Sequence, residues 1–432
     1  MALWVHGLRR VLPLQKACIR LFSSPSSTGS MTRDSKDLPT IKHVRTLLME
    51  KVGVRRKYRE EYSWEDAEVM QPVAKSQSEL PKRKPTDSLI KASIPLSNHD
   101  AREKYLLHNG GIRFGRLLED FDTLAGYICY QHNMNPELGE NQKSPYAFVT
   151  VLVDRIEQAL SQATISSKKD IYMYGNVTWV GSSSMECTMY MLQDFNGTVQ
   201  EFLTAKYLFA ARNPLTNGAG FVNPLDPQTP EEKAAFQLGE ENKVKRQLEG
   251  SKSLLKAAPS EDERLIIHDL FLSTIDQSSG TLRVRVKPEN TVWMDDTSLK
   301  SLIICHPEQR NLYNKIFGGF LMMRAYELAW TAVSFYAKTR PGMCKVVDDI
   351  LFRKPVEIGS LLFLSAQVVY TNGSDAQVHV HAEVLNPVKG TRETTNDFHF
   401  TFDTGVPDLP RVVPQTYAES MMYLIGKRHY ES

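Results

Sequence analysis

The chain lacks several features that would assign it to a common class of protein. Its five cysteines are scattered, with no pair spaced as C-x-x-C, which argues against a disulfide framework and against a cysteine zinc site. A formal net charge of +2 over 432 residues gives no general basic surface, so nucleic acid is not an expected partner. No apolar run approaches the roughly 20 residues that cross a bilayer, and a soluble protein is expected.

The first 33 residues contain no aspartate or glutamate. They hold several basic residues among leucine, valine and a serine cluster, which is typical of a mitochondrial transit peptide. Acidic groups there would oppose import driven by an inside-negative membrane potential. The sequence therefore predicts a mitochondrial protein, with the matrix as its expected compartment, and a disordered basic tail is the alternative.

A chain of 432 residues is too long for one ordinary hydrophobic core and predicts two domains with extensions. The predicted segments are a presequence at 1–33, a charged and loosely packed lead-in at 34–85 with one helix near 41–52, an amino-terminal domain at 86–212, a linker with a helix at 213–264, a carboxy-terminal domain at 265–405 and a tail with a helix at 406–432.

The two predicted domains repeat one pattern. Apolar residues at helical spacing begin at Gly115 and again 204 positions later at Gly319. Each helix is followed by alternating β-type runs, of which 171–180 and 361–370 are the clearest, and a Gly/Ser turn follows each of these. One long helix with several antiparallel strands predicts an α+β domain in which the sheet wraps the helix, built twice along the chain.

The start of the second long helix is a chemical clue. Gly318 and Gly319 let the backbone approach a ligand closely, and the first N–H groups of a helix have no internal partner. A carbonyl oxygen placed there would be polarised by free donors and aligned dipoles, which suits a carbonyl that turns into an oxyanion. Tight packing of the helix against a strand is the alternative interpretation.

Several motifs in combination resemble those of the tandem hotdog acyl-CoA thioesterases. Residues 306–319 (HPEQRNLYNKIFGG) are similar to the family's helix-start motif, 351–359 (LFRKPVEIG) to the strand that follows, and 174–186 (YGNVTWVGSSSME) to its strand-turn-strand element. Residues 110–126 are similar to the mitochondrial branch of that family. The resemblance covers 86–404 in two blocks and implies two hotdog domains, each a long helix wrapped by an antiparallel sheet, packed as a pseudo-dimer.

The resemblance implies hydrolysis of acyl-CoA to a free fatty acid and CoA, without a metal or redox cofactor, because water attacks an activated acyl group. In related tandem enzymes an asparagine before one helix works with an acid in the other, and these positions are Asn311 and Asp122 here. Asp122 would be a general base or a nucleophile, Asn311 would hold the water or the thioester, and the Gly319 N–H would meet the oxyanion. The family pattern also implies a homo-oligomer, a trimer of pseudo-dimers.

The opposite pairing departs from the family pattern. Leu107 stands where the asparagine is expected, with Asn109 nearby. Tyr326 stands where the acid is expected, with Glu327 one step further along the helix. Asn109 and Glu327 are therefore the candidates for a second site.

The two Gly/Ser turns and one basic pair are candidates for binding coenzyme A. The backbone of the turns is expected to receive the pantetheine or the phosphates, and the basic pair is expected to meet the phosphates. A plain hairpin and solvent-facing charge are the alternatives, and no Gly-x-Ser-x-Gly elbow marks a serine nucleophile. The candidate residues are Gly181, Ser182, Ser183, Ser184, Gly373, Ser374, Arg353 and Lys354.

No metal site is expected, because His379, His381 and His399 lie in predicted strands with no neighbouring ligand pattern. Two functions besides the thioesterase stay open. A hotdog dehydratase would need a histidine paired with an acid, which only His108 or His306 could supply. A catalytically inactive acyl-CoA sensor or scaffold would fit the departures in the second pairing.

Overall fold

In a computed structural model, the chain folds into two compact units. The described residues are 38–52, 74–135, 144–158, 165–213, 218–279, 281–282, 285–311, 315–342 and 344–432. The first unit holds those up to Lys243 together with Asn311, and the second holds the rest. The predicted presequence at 1–33 lies outside the described residues. None of the helices described is long and apolar enough to span a membrane.

The first unit is a long helix with a five-stranded antiparallel sheet. Its elements are α1 (Ile41–Val52), β1 (Ile90–Ile94), α2 (His99–Arg102), α3 (Phe114–His132), β2 (Ala147–Gln158), β3 (Ile171–Val180), β4 (Ser184–Phe195) and β5 (Thr198–Arg212). The strand order is β1-β3-β4-β5-β2, and every neighbouring pair is antiparallel. Helix α4 (Pro230–Ser251) contains the point at which the chain passes into the second unit.

The second unit repeats this arrangement. Its elements are α5 (Glu261–Ser273), β6 (Thr291–Trp293), β7 (Leu299–Ile304), α6 (Gly318–Ala337), β8 (Val346–Phe352), β9 (Leu361–Asn372), β10 (Asp375–Asn386), β11 (Thr391–Asp403), β12 (Arg411–Val413) and α7 (Tyr417–Glu431). The strand order β7-β9-β10-β11-β8 is again antiparallel throughout and corresponds strand for strand to the first unit. Each unit therefore has the helix-and-sheet architecture expected of a hotdog domain.

The duplication extends to single hydrogen bonds. An isolated antiparallel β-bridge between Leu106 and Ile112 closes the loop before α3. The equivalent bridge, 204 positions later, joins Arg310 to Ile316 and closes the loop before α6. A side-chain hydroxyl also accepts from a strand N–H at 3.0 Å in both units, Ser88 in the first and Thr297 in the second. These bonds lie at matching bulges of β3 and β9, so the predicted internal repeat is confirmed in detail.

The core of each unit lies between its long helix and its sheet. Leu117 and Phe121 of α3 are fully buried. In the second unit, the ring of Tyr326 on α6 contacts those of Phe400 and Phe402 on β11, with centroids 5.8 and 5.7 Å apart. Alternate residues of β11 point towards α6, which leaves the residues between them on the other face of the sheet.

The expectation of a loosely packed lead-in at 34–85 is wrong for the part that the structure describes. Helix α1 forms where it was predicted, but it packs against α3 and buries Val44 completely. Arg45 of α1 also donates to Glu119 and Thr123 of α3, both at 3.2 Å. The apolar residues of α1 recur at helical spacing and form one face of the helix. Burial of the apolar face against α3 stabilises the packed helix despite the charged residues in its sequence.

The predicted tail helix is confirmed as α7, and it covers the second unit's sheet. Tyr423 and Tyr430 of α7 pack on Tyr370 of β9, with ring centroids 5.2 and 5.3 Å apart. Gly426 permits the close approach, because a Cβ there would lie 2.5 Å from Val369 Cγ2. The sheet of this unit is therefore covered on both faces.

Candidate active site

Asp122 is held inside the first unit, near the middle of α3. It is 3% exposed, and Thr150 of β2 donates its hydroxyl hydrogen to Asp122 Oδ1 at 2.9 Å. Burial raises the pKa of the nearby Tyr207 phenol, and the negative charge of Asp122 raises it further. The carboxylate therefore lies in a poorly hydrated interior with a neutral hydroxyl beside it.

Two other carboxylates of α3 are engaged by neighbouring groups. Glu119 accepts from Arg45 at 3.2 Å and forms a close ion pair with Arg116. Asp120 accepts from the Tyr105 hydroxyl at 2.6 Å, and burial raises its pKa to about 6. Glu119 thus ties α1 to α3, while Asp120 ties the segment before α3 to the helix.

Asn311 lies half-buried in the loop that precedes α6. Asn311 belongs to the first compact unit, although the preceding residue, Arg310, belongs to the second. The two residues that the family resemblance pairs, Asp122 and Asn311, thus belong to one compact unit.

Helix α6 begins at Gly318, and Gly319 is buried in its first turn. The extended residue Phe317 caps the helix and donates its N–H to the Gln309 carbonyl at 2.9 Å. This bond sets the direction in which the chain enters the helix. Backbone N–H groups of a first turn point away from the helix body, where they can polarise a carbonyl oxygen.

The second unit offers a poorer set of groups at the equivalent positions. Tyr326 replaces the acid and is packed against aromatic rings. Glu327 is half-buried and pairs with Arg324 at 3.2 Å, beside an open cavity of about 520 Å³ within the second unit. Asn109 accepts from the Gly111 N–H at 3.0 Å, so its amide oxygen stabilises its own loop.

The turn between β3 and β4 is covered by other segments of the first unit. The carbonyl groups of Gly181, Ser182 and Ser183 accept hydrogen bonds at 2.7 to 3.1 Å from the Gln77 side chain and from two backbone N–H groups. Ser182 is exposed, and Ser184 is the first residue of β4. A ligand would therefore meet hydroxyl groups here rather than these carbonyl oxygens.

The turn between β9 and β10 is more open. Gly373 has φ +60°, and a Cβ placed on it would have no atom within 4 Å. The Ser374 carbonyl accepts from the Thr404 N–H at 2.9 Å. The basic pair is exposed but neutralised, since Arg353 pairs with a β11 aspartate at 3.0 Å and Lys354 with a β11 glutamate at 2.9 Å.

The two histidines that a dehydratase would need are exposed, in the loops that precede α3 and α6. His108 lies in the loop closed by Leu106 and Ile112, and His306 caps the short 3₁₀ helix Pro307–Gln309. The His306 N–H donates to the Gln309 side chain at 2.8 Å. No carboxylate contact with His306 is seen among the described residues.

The histidines of β10 and β11 were not expected to form a group, but the structure brings them together. His379 and His381 both contact Asp397 on β11, and these three side chains could hold a metal ion. A second such group is Asp348, Asp349 and His429. The alternation of His379 and His381 was the available signal, because residues two apart on a strand share a face.

Sequence reasoning also missed Thr150 and Tyr207, which surround Asp122. Neither belongs to a motif, and each becomes a neighbour of Asp122 only through the packing of α3 on β2 and β5. No local pattern in the sequence could have identified them.

No protein-family model matches the chain, but named relatives do. It is 46% identical over 395 residues to the Homo sapiens protein acyl-coenzyme A thioesterase 9, mitochondrial, covering 91% of this chain and 88% of that protein. It is 44% identical over 410 residues to Mus musculus acyl-coenzyme A thioesterase 10, mitochondrial, covering 94% and 92%. A solved Staphylococcus aureus acyl-CoA hydrolase in complex with butyryl-CoA matches at 23% identity, covering 33% of this chain and 88% of that one, with a TM-score of 0.31.

Proposed function

Because this chain belongs to the family of the mitochondrial acyl-coenzyme A thioesterases 9 and 10, we propose that it hydrolyses acyl-CoA thioesters to a free fatty acid and CoA. The observation that supports Asp122 as the catalytic residue is its burial beside the neutral hydroxyl of Thr150. A carboxylate on a helix surface is normally solvated, so a carboxylate held in the core of a unit is a candidate for chemistry.

Asp122 acts in this proposal as the general base. It takes a proton from a water molecule while the oxygen of that water attacks the thioester carbonyl. The carbonyl becomes a tetrahedral oxyanion. When the oxyanion re-forms the carbonyl, the C–S bond breaks and the proton held by Asp122 passes to the sulfur, so CoA leaves as its thiol. Thr150 donates to Asp122 Oδ1 at 2.9 Å and so helps to orient the carboxylate. Direct attack by Asp122, giving an anhydride that water then hydrolyses, is the nucleophilic variant of the same role.

Asn311 and Gly319 complete the proposed site. A neutral amide can both donate and accept, so Asn311 can hold the water or the thioester without neutralising the carboxylate. In this proposal the Gly319 N–H at the start of α6 stabilises the oxyanion, and one such donor is worth roughly 3 to 4 kcal/mol.

We expect one catalytic site for each chain. Tyr326 occupies the position equivalent to Asp122 and packs into the aromatic core, where it offers no base. The reaction needs no metal or redox cofactor. The turns at Gly181–Ser184 and Gly373–Ser374 are proposed to receive CoA, and the second is the more open of the two. A trimer of pseudo-dimers is the proposed assembly, and the acid-free basic segment at 1–33 supports the matrix as location.

Steady-state hydrolysis of a panel of acyl-CoAs, followed by release of the free thiol, tests this function. We expect Asp122→Asn to lose at least ~100-fold in kcat because it removes the general base, and Asn311→Ala to lose as much because it removes the group that holds the water or the thioester. Tyr326→Phe is the matched control, because it changes the position equivalent to Asp122 and should keep wild-type turnover.

Three outcomes would contradict the proposal. Unchanged turnover in either variant removes that residue from the mechanism. Formation of an enoyl product without release of CoA indicates a dehydratase. Binding of acyl-CoA by the wild type with no turnover of any chain length indicates a sensor or scaffold.

A further inference from the structure

A cluster of histidines and aspartates lies on the face of the second unit's sheet that α7 covers, away from α6. His379 and His381 lie two residues apart on β10, so both side chains leave the same face. The antiparallel register places His399 opposite His379 and Asp397 opposite His381. Four side chains with metal-binding atoms thus form a square on two adjacent strands.

We propose that His379, His381 and Asp397 bind a divalent transition-metal cation, with Zn²⁺ as the reference ion. His379 Nε2 lies 3.0 Å and His381 Nδ1 lies 2.7 Å from Asp397 Oδ1. All three ligand atoms lie within 4.8 Å of one another. Two imidazole nitrogens and one carboxylate oxygen are a donor set that suits Zn²⁺ and its neighbours.

The distances fit a metal complex with little movement. Bonds of about 2.0 to 2.2 Å to a tetrahedral Zn²⁺ place neighbouring donor atoms about 3.4 Å apart. The two ring-to-carboxylate distances, 3.0 and 2.7 Å, are shorter than this by about 0.4 and 0.7 Å. A cation would replace the ring protons that now lie between these atoms, so the three side chains need to separate only slightly.

The surroundings hold the ligands in the orientation that a metal requires. His381 Nε2 lies 3.3 Å from the Thr394 hydroxyl, which leaves Nδ1 for the metal. Arg353 Nη2 donates to Asp397 Oδ2 at 3.0 Å, which leaves Oδ1 facing the histidines. Bonds of this kind, from outside the ligand set, fix the tautomer and direction of metal ligands in known sites.

His399 adds a further buried imidazole beside the cluster. It is 5% exposed, and its ring stacks on that of His379 with centroids 4.9 Å apart. Its Nδ1 atom has no hydrogen-bond partner among the described residues. A buried polar atom without a partner is costly, and a bound water molecule or ion at that atom would offset the cost.

The site also has room for an exchangeable fourth ligand. The side chains of His379, His381 and Asp397 are 19%, 31% and 19% exposed, so water can reach the proposed metal. The cluster lies on the opposite face of the sheet from the residues that pack on α6. The metal is therefore proposed to stabilise the β10–β11 pair and the docking of α7, and it takes no part in thioester hydrolysis.

Metal binding by the full-length chain without an affinity tag tests the proposal. The protein is freed of metal with a chelator and titrated with Co²⁺, whose visible absorption reports coordination by nitrogen and oxygen. Zn²⁺ then displaces Co²⁺, and the metal content after gel filtration gives the stoichiometry. We expect one ion per chain and a rise in Tm with added Zn²⁺.

The variants His379→Gln, His381→Gln and Asp397→Asn should each weaken binding by at least ~100-fold, since loss of a direct ligand costs no less than loss of an outer contact. His268→Gln on α5 is the matched control, because this exposed histidine lies outside the cluster. Asp122→Asn should bind metal like the wild type, which separates this proposal from the catalytic one.

Absence of specific binding by the wild type would overturn the proposal and leave a hydrogen-bonded His–Asp–His group. Binding that persists in both histidine variants would also overturn it. Circular dichroism checks the fold of each variant, and Asp397→Asn keeps the shape of the side chain if either histidine variant fails to fold.

Discussion

The two units share a strand order and a helix start, yet they are covered on different sides. In the first, α1 packs on α3, which is buried along nearly its whole length. In the second, α6 keeps an exposed side on which Phe335 is 73% exposed, while α7 covers the sheet. The polar groups in contact with the covering helix differ accordingly: α1 meets the Glu119 carboxylate of α3, and α7 meets the His399 ring of β11 through His429.

On the proposed mechanism, the duplicated scaffold has separated its roles. The first unit supplies the buried acid, Asp122, and the second supplies the Gly318–Gly319 helix start. The equivalent positions hold Tyr326 in the second unit and Phe114–Gly115 in the first. If each copy of a duplicated fold loses a different catalytic group, the protein can keep its activity as long as the remaining groups act together.

The largest effect is expected when the acid of the first unit is copied into the second. Tyr326→Asp places a carboxylate among Phe400 and Phe402, away from any equivalent of the Thr150 hydroxyl. Burial of a charge without compensation should reduce the free energy of unfolding by about 3 to 5 kcal/mol. Urea unfolding at neutral pH measures this, with Tyr326→Phe as the control. Wild-type stability of Tyr326→Asp would show that this position accepts an acid, and the two units would then be chemically equivalent there.

We expect a smaller loss of stability when the packing of α1 against α3 in the first unit is weakened. Leu48 of α1 is 7% exposed, and its Cδ2 would lie 3.5 Å from a Cβ placed on Gly126 of α3. Leu48→Ala should cost about 2 to 4 kcal/mol of stability, as truncation of a packed leucine does. Phe335→Ala on the exposed side of α6 should change it by less than about 0.5 kcal/mol. Chemical unfolding of both variants compares them, and equal costs would mean that the exposed side of α6 is covered in solution.

The elements were predictable from the sequence because their signals are local. The alternation in 171–180 predicted β3 with its observed ends, Ile171–Val180, and apolar residues at helical spacing predicted the start of α6 to within one residue. The 204-residue offset likewise predicted equivalent helix starts, which the matching bridges confirm. Patterns of period 2 and 3.6 carry this information without knowledge of the fold.

The histidine cluster was not predictable in the same way, because it depends on a bulge. The hairpin begins with Asn386 opposite Thr391, and regular counting from there would place His381 opposite Asn396. The register shifts between Ala382 and Glu383, so His381 faces Asp397 instead. A one-residue shift changes the face and the partner of every later side chain. The packing of α1 was also missed, since charged neighbours obscured its apolar side.

The smallest effect concerns the ion pairs that hold the covering helices. Arg428 of α7 donates to both carboxylate oxygens of Glu263 on α5, at 2.6 and 2.8 Å, and these bonds lower the pKa of Glu263 to about 2. A depressed carboxyl pKa adds stability that is fully present above the unfolded value, near 4.5, and is lost as the pH falls towards 2. Arg428 is partly exposed, so a double-mutant cycle with Glu263→Gln and Arg428→Ala should give about 1 kcal/mol at pH 7 and close to zero near pH 2. A coupling energy close to zero at pH 7 as well would mean that this ion pair does not help to hold α7, in contrast to the role given to the Arg45–Glu119 pair of α1.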